Sequence, residues 1–288
     1  MDKSGNRGLL SVHFAVFLFG VVGLFAKLVD LPAVIIVWGR VFFSALFLLG
    51  FLCFRRQKIR LSERLDYLWL MGAGVILAIH WSSFMQAIQT STVAVGTLTF
   101  STFPLFVTFL EPYLFHEKLK ITDVLCAVIM FIGVVFIVPE FTLGNAMTRG
   151  VLWGLLSALT YAVLSLMNRR FSGKYQAALV SFYEQASASV VLLPTFFVLR
   201  PVITIRDVGV LILLGVVFTA LAHSLFINGL RTVKVQTAGI ISGLESVYGI
   251  IAAFVVLGEV PGIREIIGGI IIMAVVFYST MQGKSTDG

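Results

Sequence analysis

The chain has 288 residues, of which 59% are hydrophobic and 12% charged, with a mean hydropathy of +1.02. A soluble domain carries about 25% charged residues, so this chain lacks the polar surface to meet water on all sides and takes lipid as its solvent over most of its area. The net charge of +7 comes in short basic runs between apolar stretches, a pattern that sets orientation in a membrane and excludes a nucleic-acid-binding reading.

The chain opens with Lys3 and Arg7 and then runs apolar from Gly8 to Ala26. No small-x-small site closes the run and its length suits a full crossing, so it reads as an uncleaved first helix. A crossing takes about 20 residues, and that ruler gives ten spans: 8–27, 33–54, 65–88, 93–115, 121–138, 149–168, 177–199, 207–229, 235–257 and 263–281. The expected fold is an all-α integral membrane protein of ten transmembrane helices, with loops too short for a soluble domain. Pro32, Pro139, Pro201 and Pro261 fall at or beside predicted ends. Pro104, Pro112 and Pro194 fall within spans, where neighbouring helices compensate the lost hydrogen bond. Cys53 and Cys126 lie in apolar stretches and read as small buried hydrophobes, too few for a disulfide framework or a zinc site.

Orientation follows from the 21 lysines and arginines. With the N-terminus inside, only Lys27, Arg149, Arg200, Arg206 and Arg264 fall outside and Arg40 falls within a span; all others are inner, most densely from Arg55 to Arg64. This bias predicts that both termini are cytoplasmic.

An offset of 142 residues aligns the chain with itself. Phe84 meets Phe226, Gln86 meets Asn228, Thr90 meets Thr232, Val93 meets Val235, Glu117 meets Glu259 and Asp123 meets Glu265. The polar matches matter most, because apolar bias does not produce them. The expected units are 1–140 and 141–288, two five-helix repeats forming one transport unit. Five is odd, so the second unit enters the membrane inverted. Inverted repeats are a common construction of alternating-access carriers, with the substrate site near the midplane.

An ionisable group near the bilayer centre costs at least about 2.5–3.5 kcal/mol, so each one is a candidate for function or for a helix–helix pair. Arg40 lies roughly 5 Å from the midplane at the helical rise and could take a carboxylate or phosphate, or pair with a glutamate. Glu245 is placed near the centre of its span, with Ser242 and Tyr248 three residues away on the same face. It could bind an amine, carry a coupling proton or pair with Arg40. Glu184, flanked by Tyr183 and Gln185, could line a cavity or join an interhelical hydrogen-bond network. His80 and His223 lie on repeat-related helices, with Trp81 aligned to His223; they suit proton handling, substrate contact or simple interior hydrogen bonding. Gln86 and Asn228, equivalent by the repeat, could gate or join helices. Trp69 reads as an interface anchor.

Several short stretches resemble the drug/metabolite transporter superfamily, EamA type. They are Phe19-Gly20 followed by Lys27, then Arg40, and Pro104-Leu-Phe running to Glu117-Lys118-Leu119. In the second half they are Gly150 through Tyr161-Ala162 to Arg169-Arg170, then Leu257-Gly258-Glu259 and Gly268-Gly269. The chain departs from the family pattern at Leu244-Glu245-Ser246-Val247, where many members place proline. The resemblance implies a ten-helix inverted repeat that moves small metabolites, often outward.

No nucleotide-binding, hydrolase or metalloprotease motif occurs. The reading is therefore a secondary transporter, not an enzyme, with no cofactor and no metal. It takes a small polar metabolite such as an amino acid or amine, with a coupling proton or counter-substrate. The lipid bilayer of a bacterial inner membrane surrounds it, as monomer or weak dimer. A membrane enzyme or receptor and a solute channel are the alternatives.

Overall fold

The computed structural model describes residues 3–115, 121–138, 140, 142–171, 174–229, 233 and 241–282. Among these residues every regular element is a helix. Seven helices are long and apolar enough to cross a membrane, and the stretches Val124–Ile137 and Ile241–Leu257 are shorter apolar helices.

Five predicted spans are interrupted. The first consists of α1 (Lys3–Val22) and α2 (Phe25–Leu28), separated by a turn at Gly23 and Leu24. After α3 (Ala33–Phe54) and α4 (Arg64–Thr90), the fourth span consists of α5 (Val93–Phe100) and α6 (Phe103–Phe115). Pro104 has no N–H and crowds the carbonyl four residues back, and hydroxyls beside the break add second hydrogen bonds to the carbonyls just before it. Thr102 Oγ1 donates to Thr99 O at 2.6 Å and Ser101 Oγ to Thr97 O at 3.0 Å. α7 (Ile121–Ile137) and α8 (Ala146–Arg169) are continuous, the latter capped by the Asn145 side chain. The seventh span breaks before Pro194 into α9 (Ala177–Leu192) and α10 (Thr195–Leu199), and Thr195 Oγ1 donates to Leu192 O.

The eighth span is interrupted without a proline. α11 (Ile205–Gly215) passes into a π-helical stretch, Val216–Leu221, before α12 (Ala222–Gly229). Thr219 Oγ1 donates to Leu214 O, five residues back. Such π turns recur at functional sites, and this one presents Thr219 to Arg40. α13 (Glu245–Leu257) begins after a turn at Leu244, and α14 (Ile263–Gln282) follows Gly258, whose φ of +67° suits glycine. Glu245 therefore opens a helical segment instead of lying within an unbroken one.

Packing joins elements far apart in sequence. α1 packs on α12 and α13; α8 on α4, α5 and α6; α3 on α9 and α11; α4 on α9; α5 on α13; α7 on α14. Glycine permits the closest crossings. A Cβ on Gly74 would lie 2.6 Å from Glu184 O, and one on Gly268 would lie 2.5 Å from Gly133 O. Large apolar side chains such as Phe54, Phe131, Phe197 and Val255 are exposed around the outside, the surface that lipid requires. Cys53 belongs to that exterior and is not buried, because its face of α3 has no helix against it; Cys126 is half-buried. Trp69 is half-exposed with the Arg170 guanidinium 5.2 Å from its ring centroid, an interface-anchor geometry.

Candidate substrate site

A cavity of about 430 Å³ lies among α1, α3, α4, α5, α8, α9, α12 and α13. Its lining follows helical periodicity. α4 contributes Leu77, His80, Trp81 and Phe84, and α9 contributes Ala177, Val180, Ser181, Glu184 and Gln185. Each set is spaced i, i+3, i+4, i+7, so one face of each helix turns inward. From α8 come Tyr161, Leu164 and Asn168, again on one face.

Arg40 is 5% exposed. Its Nε donates to Thr219 Oγ1 at 2.7 Å, and its guanidinium carbon sits 3.7 Å from the Trp81 ring centroid. The hydrogen bond and the cation–π contact hold the cation in place. Glu245 is the carboxylate in electrostatic contact with it, yet the two do not close to an ion pair. Among the described residues, the charged groups paired within 4.0 Å are Lys174 with Glu63 and with Asp66. Glu245 instead occupies the first turn of α13, where the helix dipole favours a negative charge.

His80 is buried, with Nδ1 at 2.9 Å from both the carbonyl oxygen and the hydroxyl of Ser157. Its ring lies 5.0 Å from that of Tyr161 and 5.3 Å from that of Phe100. His223, on α12, packs 5.1 Å from the Phe19 ring. Glu184 is 6% exposed and within hydrogen-bonding reach of Asn168. Tyr161 lies within electrostatic reach of both Glu184 and Glu245.

The structure thus brings together six residues singled out from sequence: Arg40, His80, Trp81, Glu184, His223 and Glu245. Four others lie elsewhere. Tyr183 donates to Ile59 O at 3.0 Å. The Tyr248 hydroxyl meets His13 Nδ1 at 3.2 Å and its ring packs on Phe17. Gln86 donates to Thr90 Oγ1, and Asn228 is exposed. The additional lining residues Tyr161, Asn168 and Gln185 carry a signal that the sequence holds. Tyr161 and Asn168 are two turns apart on one face of an otherwise apolar helix, and Gln185 adjoins Glu184.

The two ends of the cavity differ. At one end the lining reaches the α8–α9 connection at Phe171, Tyr175 and Ala177; this is the Lys174 end. At the other, the Ser91 end, the chain is knitted shut. Lys27 Nζ donates to Ser91 O at 2.6 Å and Gln89 Nε2 to Leu31 O at 2.9 Å. Val93 N donates to Glu259 at 2.9 Å and Thr92 Oγ1 to Glu265 at 3.0 Å. No group of three metal-ligating side chains occurs among the described residues.

The family model of EamA-like transporters matches residues 6–138 and again 148–281. The chain belongs to the EamA-like transporter family. Relatives of this EamA-like chain cover nearly its whole length. An uncharacterized transporter of Archaeoglobus fulgidus is 27% identical over 93% of this chain and 94% of its own. The pseudopaline exporter CntI of Pseudomonas aeruginosa is 26% identical, with the same coverage of 93% and 94%. An S-adenosylmethionine uptake transporter of Rickettsia prowazekii is 22% identical over 86% of this chain and 82% of its own. A solved crystal structure shares the fold with a TM-score of 0.68 at 15% identity, covering 98% of each chain. The EamA-like chain is thus a multi-pass membrane protein and a transporter of small molecules, not an enzyme.

Proposed function

We propose that the protein is a secondary carrier that moves a small, polar, amine-bearing metabolite, such as an amino acid or amine, outward by alternating access. The observation that carries this reading is the cavity itself. Arg40, His80 and Trp81 from residues 1–140 meet Tyr161, Glu184, His223 and Glu245 from residues 141–288 around one cavity, with the chain tied together at the Ser91 end. Carboxylates and aromatic faces suit an ammonium group, and Arg40 suits a carboxylate. Glu245 is the candidate for coupling to a proton or counter-substrate.

The carrier is taken to have ten spans in two inverted repeats, in the cell inner membrane, with both termini cytoplasmic. Helix packing supports two equivalent halves. When every span is advanced by five, α1 on α12 becomes α8 on α4, and α1 on α13 becomes α8 on α5 and α6. Likewise α4 on α9 becomes α11 on α3, while α3–α9, α5–α13 and α7–α14 return to themselves. The inversion rests on the odd span number, and the orientation on the basic residues around Arg55–Arg64. In that orientation the Lys174 end is cytoplasmic and the cavity faces inward. A single chain that encloses its own pathway favours a carrier, working as monomer or weak dimer, over a channel.

Counterflow tests the reading. Proteoliposomes preloaded with a panel of unlabelled amino acids and amines should take up the labelled member of the panel faster than empty ones. Flux without trans-stimulation would indicate a channel, and chemical conversion of the label an enzyme; either result overturns the proposal.

A further inference from the structure

We infer that Glu184, Gln185 and Asn168 form an ammonium subsite of their own, toward the Lys174 end of the cavity and separate from the Arg40–Glu245 region, and that it takes a primary ammonium group. The inference deepens the carrier reading and rests on it for its biological use.

Three observations point there. The first is the inventory of unmatched atoms. Glu184 Oε1, Gln185 Oε1 and Asn168 Oδ1 are all buried without a hydrogen-bond partner in the protein, on side chains that all line the cavity. Glu184 and Gln185 are 6% and 2% exposed. A buried acceptor left without a donor is costly, and three on one cavity lining call for a partner rich in N–H and free of acceptors. A primary ammonium has three N–H donors and no acceptor; a quaternary ammonium has none. The last torsion of Glu, and of Gln and Asn, is soft, so a modest rotation turns each oxygen to the ligand.

The second is charge. The cationic lining residue is Arg40, and its electrostatic contacts are Glu245, His80 and His223, not Glu184. A ligand cation placed at Glu245 meets a fixed guanidinium; one placed at Glu184 does not. With both carboxylates ionised, the lining carries one more negative than positive charge, which a single ligand cation balances. The third is position. The subsite adjoins the end where the lining reaches the α8–α9 connection, since Asn168 lies in the last turn of α8. An amine would engage Glu184 first on entering from that end.

The test uses a thiol in place of a ligand. Ser181 lines the cavity one turn from Glu184, so Ser181→Cys is placed in a full-length chain carrying Cys53→Ala and Cys126→Ala, in lipid nanodiscs. The thiol is reacted with the aminoethyl, trimethylammonioethyl, sulfonatoethyl and methyl methanethiosulfonates. The aminoethyl reagent should react fastest relative to the neutral methyl reagent, with the trimethylammonio reagent behind it and the sulfonate slowest. Glu184→Gln should lower the aminoethyl-to-methyl rate ratio by about tenfold, the size of one lost charge-assisted hydrogen bond, and by more than Glu245→Gln does. Asn168→Leu should erase the preference for aminoethyl over trimethylammonio. An unchanged ratio in Glu184→Gln overturns the inference. Should that variant misfold, seen as an altered rate with the methyl reagent, the unsubstituted site still decides: equal rates with the aminoethyl and trimethylammonio reagents overturn it. Selective labelling without counterflow sinks the carrier reading and leaves the subsite standing. Counterflow with unselective labelling does the reverse.

Discussion

The Ser91 end and the Lys174 end both tie the first half of the chain to the second, but with different chemistry. At the Ser91 end, Glu259 accepts from Val93 N at the first residue of α5, and Glu265 accepts from the Thr92 hydroxyl and from Gly262 N. Glu265 is 6% exposed. These are carboxylates on helix starts, at short distance and at least half-buried. At the Lys174 end, Lys174 reaches Glu63 at 2.7 Å and Asp66 at 2.8 Å, and the Tyr175 hydroxyl donates to Asp66 at 2.5 Å while accepting from Ser62 N. There the contacts run beside the cavity, whose wall includes the Tyr175 ring. Cross-links between halves therefore close one end and only frame the other. What decides is whether the partner is a helix start, which brings backbones together, or a long side chain, which spans a gap.

The largest effect should come from the group between the two ends. Glu245→Gln keeps shape and removes the charge. Counterflow should fall by about tenfold or more, as one lost charge-assisted interaction implies, with a normal melting temperature. Because Arg40 is held by Thr219 and Trp81 and not by an ion pair with Glu245, adding Arg40→Gln should not rescue it; a rescue would show that the two pair directly. A smaller effect is expected from Glu265→Ala, which strands Thr92 and Gly262 N. It should cost about 1–3 kcal/mol of stability, the range for a buried group left unpaired. It should also open the Ser91 end to a thiol reagent at Ala94→Cys, which lines the small crevice beside it. An unchanged labelling rate would mean that the seal lies elsewhere.

The smallest effect belongs to Lys174. Asp66 and Glu63 hold its ammonium above the usual lysine pKa. A raised lysine stabilises the fold fully below its unfolded value of about 10.4 and loses that contribution as pH climbs through the folded value. The melting-temperature difference between wild type and Lys174→Met should therefore be flat from neutral pH to about 10 and shrink above it. The difference is modest throughout, since the Lys174 and Glu63 side chains are open to water, which screens their charges. A difference that changed below pH 9 would assign the Lys174 end a different titrating group.

Much of this was legible in the chain. Apolar runs of crossing length were marked by composition, and Arg40, Glu184 and Glu245 stood out because ionisable groups in such runs are costly. Pro104 and Pro194 stood within spans, and the helices break there. The break at Leu244 and the π turn at Val216–Leu221 had no comparable marker, because no residue type demands either. The sequence placed Tyr248 on the face of Glu245; its partnership with His13, 235 positions away, turned it from the cavity.

Insertion of a span depends on its own residues, a local sum that the sequence determined: where the chain is membranous, where its polar groups are expensive, and that its two halves are alike. Which of those groups converge depends on the rotation and depth of each helix. Those are set where backbones cross closely, at pairs such as Gly74 with Glu184 O and Gly133 with Gly268, between residues distant in the chain. Only the tertiary structure decided that Glu184, Glu245 and Tyr161 line one cavity, because van der Waals packing between helices, and not the periodicity of any one of them, fixes that register.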